Sequence, residues 1–405
     1  MRHDDVVVVA ACRTAQGDFG GALRDIPAAD LAAAVIREAI SRSGISPDQV
    51  DAVVMGQVYQ TSEALNIARF AVLQDGQPVA IPGFSVQMAC CSGLEAVNLG
   101  AHEILSGHAE VVVAGGVENM SRVPYLLNGH RWGAKRGHGA LIDMLEESSW
   151  SASASRYGRL NMGLAAEHIA KQYDITRSEQ DQYALKSHQR AMAAITAGYY
   201  REEIVPVQIP QAQTSRQFAA DEHPRPDASL AALARLRPSF AQDGSVTAGN
   251  ASSLSDGAAA LVLVSGAMAK RHGLAELGRI VGTARVGVHP LELGMSPAPA
   301  AERALDRAQI AIRDVDAWEI NEAFASVVLA SARVLGVPLD NVNVNGGGIA
   351  LGHPVGCSGA RILVSLLYDM RRRDLLTGVA TVGGGGGVAV ATVVQRSPTP
   401  TERKA

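Results

Sequence analysis

The sequence predicts an α/β protein built of two like halves with a folded insertion in the first, and three observations carry that expectation. Strand-like and helix-like runs alternate up to residue 118 and again beyond Ala258, as α/β layering requires. Cys91-Ser92-Gly93 opens a helix that leads to a strand ending at Gly115-Gly116, and Cys357-Ser358-Gly359 repeats the arrangement up to Gly383-Gly384. An internal duplication accounts for both. Between residues 120 and 245, His, Arg, Ser, Gln and Pro become frequent and apolar runs shorten, as in an elaborated insertion.

Each element follows from its local pattern. Val6 to Ala11 is a β-branched run and reads as the first strand. Asp30 precedes Leu31, Val35, Ile36, Ala39 and Ile40 at helical spacing, and Gly44 stands where a C-terminal cap belongs. Strands are then expected at 51–58, 83–88 and 110–114, with helices at 66–73 and 92–105 between them. Inside the insertion, 162–172 and 178–197 keep helical periodicity, whereas Asp221-Glu222-His223-Pro224-Arg225-Pro226-Asp227 continues neither helix nor strand. Beyond Ala258, strands at 279–286, 317–320, 341–345, 379–382 and 388–394 alternate with helices at 300–310, 322–335 and 358–370. Two like halves packed together bring corresponding helix starts face to face, a natural place for a site.

Composition narrows the function. The 405 residues are too many for one core at ~100–200 residues per domain. Hydrophobic residues at 47% and charged ones at 19% fit a globular protein, and set aside disorder, collagen and coiled coil. A net charge of -4 offers no bulk attraction for nucleic acid or anionic lipid, so neither is expected as a partner. Met1 to Asp5 has no signal-peptide pattern and no apolar run approaches the ~18 residues that span a bilayer, so a cytoplasmic protein without membrane contact is expected. The four cysteines, Cys12, Cys90, Cys91 and Cys357, form no CxxC pair, and no zinc-type spacing occurs. No metal site is expected.

Four positions could carry chemistry. Cys90 stands at a strand-to-helix junction, where unpaired N–H groups and the helix dipole favour thiolate and lower the thiol pKa. Cys91 reads instead as a buried small apolar residue. His353, in Gly346-Gly347-Gly348-Ile349-Ala350-Leu351-Gly352-His353-Pro354, holds the counterpart position in the second half and could take the thiol proton or donate to an oxyanion. Asn321 precedes the helix of Glu322-Ala323-Phe324-Ala325 and is a candidate N-cap. Gly383 to Gly387 is too glycine-rich for a simple hairpin, and its bare N–H groups could form an oxyanion hole. It lacks the lysine and hydroxyl of a phosphate loop, and no GxGxxG follows the first strand.

These blocks, in this order, resemble the thiolase superfamily over nearly the whole chain: Cys90-Cys91-Ser92-Gly93-Leu94, Ala114-Gly115-Gly116-Val117-Glu118-Asn119-Met120-Ser121, Val246-Thr247-Ala248-Gly249-Asn250-Ala251-Ser252, Asn321-Glu322-Ala323-Phe324-Ala325, and Gly346 through Pro354. The resemblance implies two βαβαβαββ halves in five αβαβα layers. By it, 1–119 with 246–270 form the first half, 120–245 the loop domain, 271–395 the second half, and 396–405 a flexible tail. It implies thiolysis of 3-oxoacyl-CoA or the reverse condensation, with acyl-CoA and CoA as partners, coenzyme A as substrate, no permanently bound cofactor, and a homodimer or homotetramer. Cys90 would hold the acyl group, His353 would activate it, and Asn321 would hold a water beside it. Gly383 with the Cys90 N–H would form a second oxyanion hole. Ser252, Arg225, Met162 and Ala248 would bind CoA.

The chain departs from the family pattern in several places. Gln87 stands where an asparagine is usual, Asn161 where a histidine or serine precedes Met-Gly, and Gly294-Met295-Ser296-Pro297 where many members have Gly-x-Gly-Pro. The terminal Cys-x-Gly-Gly-Gly-x-Gly, whose cysteine is the acid/base, is replaced by Val382 running directly into Gly383 to Gly387. Counted back from Gly387-Val388-Ala389, the block is about two residues short and the cysteine is among those missing. The alternatives are therefore a variant weak in carbon–carbon chemistry, or a CoA-binding scaffold without catalysis.

Overall fold

The computed structural model describes residues 5–133, 135–150, 154–210 and 214–397. The tail expected at 396–405 lies, from 398 onward, outside the described residues.

The first half runs β1 (Val6–Thr14), α1 (Ala28–Ser43), β2 (Ala52–Gly56), α2 (Ile67–Gln74), β3 (Gly83–Val86), α3 (Ser92–Leu105) and β4 (Val111–Asn119). Gly44 ends α1 in the left-handed conformation at φ 73°, as its sequence position implied, and Asn66 caps α2 by accepting from the Arg69 N–H. The insertion contributes α4 (Met162–Gln172) and α5 (Arg177–Thr196), the latter opened by a Thr176/Glu179 capping box. The chain then returns as β5 (Ser255–Ser265). The second half runs β6 (Gly278–Gly287), α6 (Pro297–Ala308), β7 (Ala317–Ile320), α7 (Ala325–Leu335), α8 (Val355–Arg373), β8 (Thr377–Gly384) and β9 (Val388–Gln395).

These strands join in the order β7-β8-β9-β6-β1-β5-β4-β2-β3. Each half has the same plan, parallel strands on the outside (β3, β2, β4; β7, β8) followed by an antiparallel pair (β5, β1; β9, β6). The halves meet where Val6–Val8 pair with Gly278–Ile280. α1 packs on α2, β1 and β5 on one outer face, and α6 packs on α7, β6 and β9 on the other. α3 and α8 pack on each other between the half-sheets, which gives the αβαβα layering.

The duplicated Cys-Ser-Gly supplies the glycines of that central contact. A Cβ on Gly93 would lie 2.7 Å from the Gly356 carbonyl oxygen, and one on Gly359 would lie 2.5 Å from the Leu94 nitrogen. No side chain fits at either place, so the two helix starts are held backbone to backbone.

Two expectations are corrected. Gly115-Gly116 does not end β4, which continues to Asn119. A Cβ on Gly116 would fall 2.0 Å from the Gly356 carbonyl oxygen, so this glycine marks a close approach of α8 within the strand. The strand expected at 341–345 is reduced to one bridge between Trp318 and Val342. There Asn343 turns at φ 50°, and its side chain accepts from the Ile320 N–H at 2.9 Å and donates to the Ile320 carbonyl at 2.8 Å, replacing the ladder. β5 was not anticipated: all eleven of its residues are buried, and the run Ala258 to Val264 is continuously apolar and does not alternate.

The insertion is clamped to β1 by Arg13, fully buried and paired with Glu203 and Asp221 at 2.7 Å each. No helix among the described residues is long and apolar enough to cross a membrane.

Candidate active site

Cys90 sits on a turn that its neighbours lock. Ala89 takes a left-handed φ of 49°, the Ser92 hydroxyl donates to the Ala89 carbonyl at 2.6 Å, and the Met88 N–H donates to that hydroxyl at 2.8 Å. Cys90 is 7% exposed, and the backbone N–H groups of Cys90 itself and of Gly385 favour its thiolate. Burial outweighs them and pushes the thiol up to about 11, with the Glu118 carboxylate adding in the same direction. This corrects the expectation of a lowered pKa: the resting group is the thiol, and a base must take its proton.

The glycine that reaches the sulfur is Gly385, two residues beyond the expected Gly383. Gly383 and Gly384 stay within β8, paired with Ala389 and Val388, so the hairpin tip is 385–387, with Gly386 and Gly387 at φ 85° and 82°. Gly384 lets the hairpin close on the nucleophile, since a Cβ there would stand 3.3 Å from the Cys90 nitrogen and 3.1 Å from the Cys91 sulfur. Cys91 is fully buried and donates its thiol to the Val382 carbonyl at 3.2 Å, the structural part expected of it.

His353 precedes α8 and is buried, with its N–H held by the Ser253 carbonyl at 3.1 Å. Its Nδ1 lies 2.6 Å from the Ser358 hydroxyl, which donates onward to the Pro354 carbonyl at 3.0 Å. A hydroxyl that spends its proton on Pro354 must accept at Nδ1, so Nδ1 carries the hydrogen and Nε2 presents a lone pair. Nε2 has no partner. Burial, with a smaller contribution from Arg361, pushes the imidazole down to about 4, so it is neutral at pH 7. The imidazole and the Cys90 thiol are thus both neutral at rest.

Asn321 is not an N-cap, because the helix starts later and Phe324 holds that position. Its backbone N–H donates to the Thr381 carbonyl at 3.0 Å, while both polar atoms of its buried side chain have no partner among the described residues. Unpaired buried polar atoms are costly, and at Asn321 and His353 they belong to the two residues expected to meet substrate. The next residue, Glu322, was not anticipated. Its carboxylate accepts from Tyr183 and Ser187 of α5, each at 2.7 Å, from Asn343 at 3.0 Å, and from the Ile349 N–H at 3.0 Å. It thereby fixes Asn321, the glycine segment leading to His353, and the loop domain to one another. Glu118 does the same on the other side, accepting from the N–H groups of Val58, Tyr59 and Gly356 at 2.9, 3.2 and 3.0 Å, with burial pushing it up to about 7. The signal for both was an acid inside an apolar, glycine-rich block.

Arg225 and Ala248 line one cleft of about 360 Å³ with His188, His223, Leu233 and Ile349. The Arg225 N–H donates to His188 Nδ1 at 3.3 Å, and its guanidinium makes no ion pair among the described residues. Ser252 and Met162 do not line this cleft. Ser252 bonds its N–H to the Ala323 carbonyl at 3.0 Å, and Met162 opens α4 behind an Asn161 cap. No group of three or more His, Cys, Asp or Glu side chains suited to a metal ion occurs among the described residues.

Residues 6–267 match the family model of the thiolase N-terminal domain, and 274–396 that of the thiolase C-terminal domain. An acetyl-CoA acetyltransferase of Pseudomonas aeruginosa is 49% identical over 394 residues, covering 97% of this chain and 99% of that protein. The acetyl-CoA acetyltransferase of Escherichia coli K12 is 46% identical over 96% and 98% of the two chains. Among solved structures, the Bacillus anthracis acetyl-CoA acetyltransferase superposes with a TM-score of 0.94 at 45% identity, over 97% of this chain and 98% of that one. Human mitochondrial 3-ketoacyl-CoA thiolase in complex with CoA gives 0.92 at 40%, over 98% of each. The chain belongs to the thiolase family, and is a CoA-dependent acyltransferase of the thiolase type.

Proposed function

We propose that this thiolase carries acyl groups on Cys90 in a ping-pong reaction, with acetyl-CoA and 3-oxoacyl-CoA as its substrates. His353 Nε2 takes the Cys90 proton as the sulfur attacks the thioester carbonyl. The tetrahedral oxyanion is held by the N–H groups of Cys90 and Gly385, and its collapse expels the CoA thiolate, which recovers the proton from His353. A CoA thiol reverses these steps to complete transfer. In condensation His353 Nε2 takes the α-proton of a second acetyl-CoA, whose thioester oxygen is polarised by a water on the Asn321 amide; the α-carbon attacks the acyl carbonyl on Cys90, and the departing Cys90 thiolate recovers that proton from His353. The close approach of the 384–385 backbone to Cys90 carries this reading: a Cβ on Gly384 would stand 3.3 Å from the Cys90 nitrogen, and the Gly385 N–H favours negative charge at the sulfur, as an oxyanion on the adjoining carbon requires.

Mixing the protein with acetyl-CoA and mapping the adduct by mass spectrometry tests it. One acetyl group on the Cys90 peptide is the expected result; no adduct, or an adduct on Cys357, defeats the reading. Arg225 and Ala248 bind the CoA arm in this scheme. Arg225→Ala is expected to weaken acetyl-CoA by roughly tenfold, as for a lost charge-assisted contact, and acetyl-pantetheine far less. Competition binding with the two esters is the check, and equal losses would remove Arg225 from the site.

Assembly into a homodimer or homotetramer belongs to the same reading. β3 is a free sheet edge with Phe84 exposed, and Phe70, Leu73 and Val79 are exposed on the preceding segment. A second copy pairing along β3 would cover them.

A further inference from the structure

Two departures from the family pattern, far apart in sequence, meet at one point. Ser296 stands where a glycine is usual, and the glycine run from Gly383 stands where a cysteine is usual. A Cβ built on Gly383 would lie 2.7 Å from the Ser296 Oγ, closer than real side chains approach, and 3.2 Å from the Leu293 carbonyl oxygen and from the Pro297 ring. Gly383 lies in β8 without a positive φ, so its backbone accepts any residue and only space refuses one.

Ser296 itself needs an explanation. It stands immediately before α6, where a serine ordinarily caps the helix, yet its side chain makes no cap. The hydroxyl, fully buried, instead reaches the Leu293 carbonyl at 2.6 Å and the Val388 carbonyl at 3.2 Å. Val388 is the cross-strand partner of Gly384, so this contact ties the wall before α6 to the hairpin whose next residue, Gly385, donates to the Cys90 sulfur.

We propose that Ser296 is a positioning residue of the acyl-transfer site: its hydroxyl fills the space that a side chain at 383 would take, and holds the terminal hairpin so that the Gly385 N–H stays on Cys90. The volume is supplied from one side only, by residue 296 or by residue 383. The wall is complete with serine and glycine, overfull with serine and alanine, and hollow with two glycines. The proposal rests on the Cys90 acyl-enzyme reading for its functional half, while its steric half stands without any reaction.

The test is a cycle of G383A, S296G and S296G/G383A, each followed by thermal melting and by the rate and KM of Cys90 acylation from acetyl-CoA. G383A should melt roughly 3–6 °C below the parent, as overpacking of a buried wall does. S296G should acylate about tenfold more slowly at unchanged KM, since the oxyanion donor drifts while CoA contacts remain. S296G/G383A should recover melting temperature above G383A and acylation above S296G. Simple addition of the two losses in the double variant would overturn the pairing. Recovery of melting without recovery of acylation, in a protein whose parent forms the acetyl adduct, would overturn the positioning part. A parent that forms no adduct fails the acyl-enzyme reading itself and leaves the melting cycle to decide the pairing.

Discussion

Cys90→Ala should abolish acyl-enzyme formation and lower turnover by at least ~10³-fold, whereas Cys91→Ala should leave acylation largely intact. Only Cys90 combines a turn fixed by Ala89 and Ser92 with two N–H donors at its sulfur. Cys91 points its thiol into the hairpin backbone, where alanine loses one weak hydrogen bond and one sulfur atom of packing. The raised pKa adds a second signature. With the thiol pushed up to about 11, alkylation by iodoacetamide in the absence of substrate should climb with pH to beyond pH 9 rather than level off near neutrality. Peptide mapping along that titration is the measurement. Faster labelling of Cys91 or Cys357, or a plateau below pH 8, would reassign the nucleophile or restore the thiolate.

The fold was legible where one face of an element is polar or where a cap marks its end. α1 betrayed itself by Leu31, Val35, Ile36, Ala39 and Ile40 before Gly44, and α3 and α4 fall within the bounds that their periodicity set. β5 was illegible because a strand buried on both faces is apolar throughout and carries no period. Glycines misled for a related reason. Gly115-Gly116 resembles a stop signal in sequence, yet it serves a backbone arriving from residue 356, a contact no local rule can foresee.

The site divides in the same way. Cys90 and His353 were singled out by their places before corresponding helices of the two halves, and Asn321 by the family resemblance. Their supports were not. Ser358, Glu118 and Glu322 act across long sequence separations, and an acid in a glycine-rich block gives no sign of which N–H groups it will accept. The helix dipole argument for Cys90 failed through burial, which sequence proximity to a helix start does not measure. The shift from Gly383 to Gly385 has a similar cause. Pairing of Gly383 and Gly384 with Ala389 and Val388 extends β8 by two residues and carries the free N–H outward.

His353→Ala should cost a hundredfold or more in turnover, the usual range for a lost base or oxyanion donor, with little change in the affinity for acetyl-CoA. The argument rests on the tautomer. Ser358 gives its proton to Pro354 and so holds the imidazole hydrogen on Nδ1, leaving Nε2 as the only unpaired acceptor on the ring. Burial holds the ring neutral down to about pH 4, so the base is available throughout the range in which the protein is assayed, and the acid limb of acylation should not show a step near pH 6.5. Asparagine at 353 keeps a polar amide but cannot take a proton, so His353→Asn should lose acylation as His353→Ala does. Ser358→Ala keeps both ring nitrogens and frees the tautomer, and its loss should therefore be smaller than that of either His353 variant. Stopped-flow acylation from acetyl-CoA across pH 4 to 9 separates the three. Near-normal acylation in His353→Ala would make the histidine a packing residue and leave Cys90 without its base.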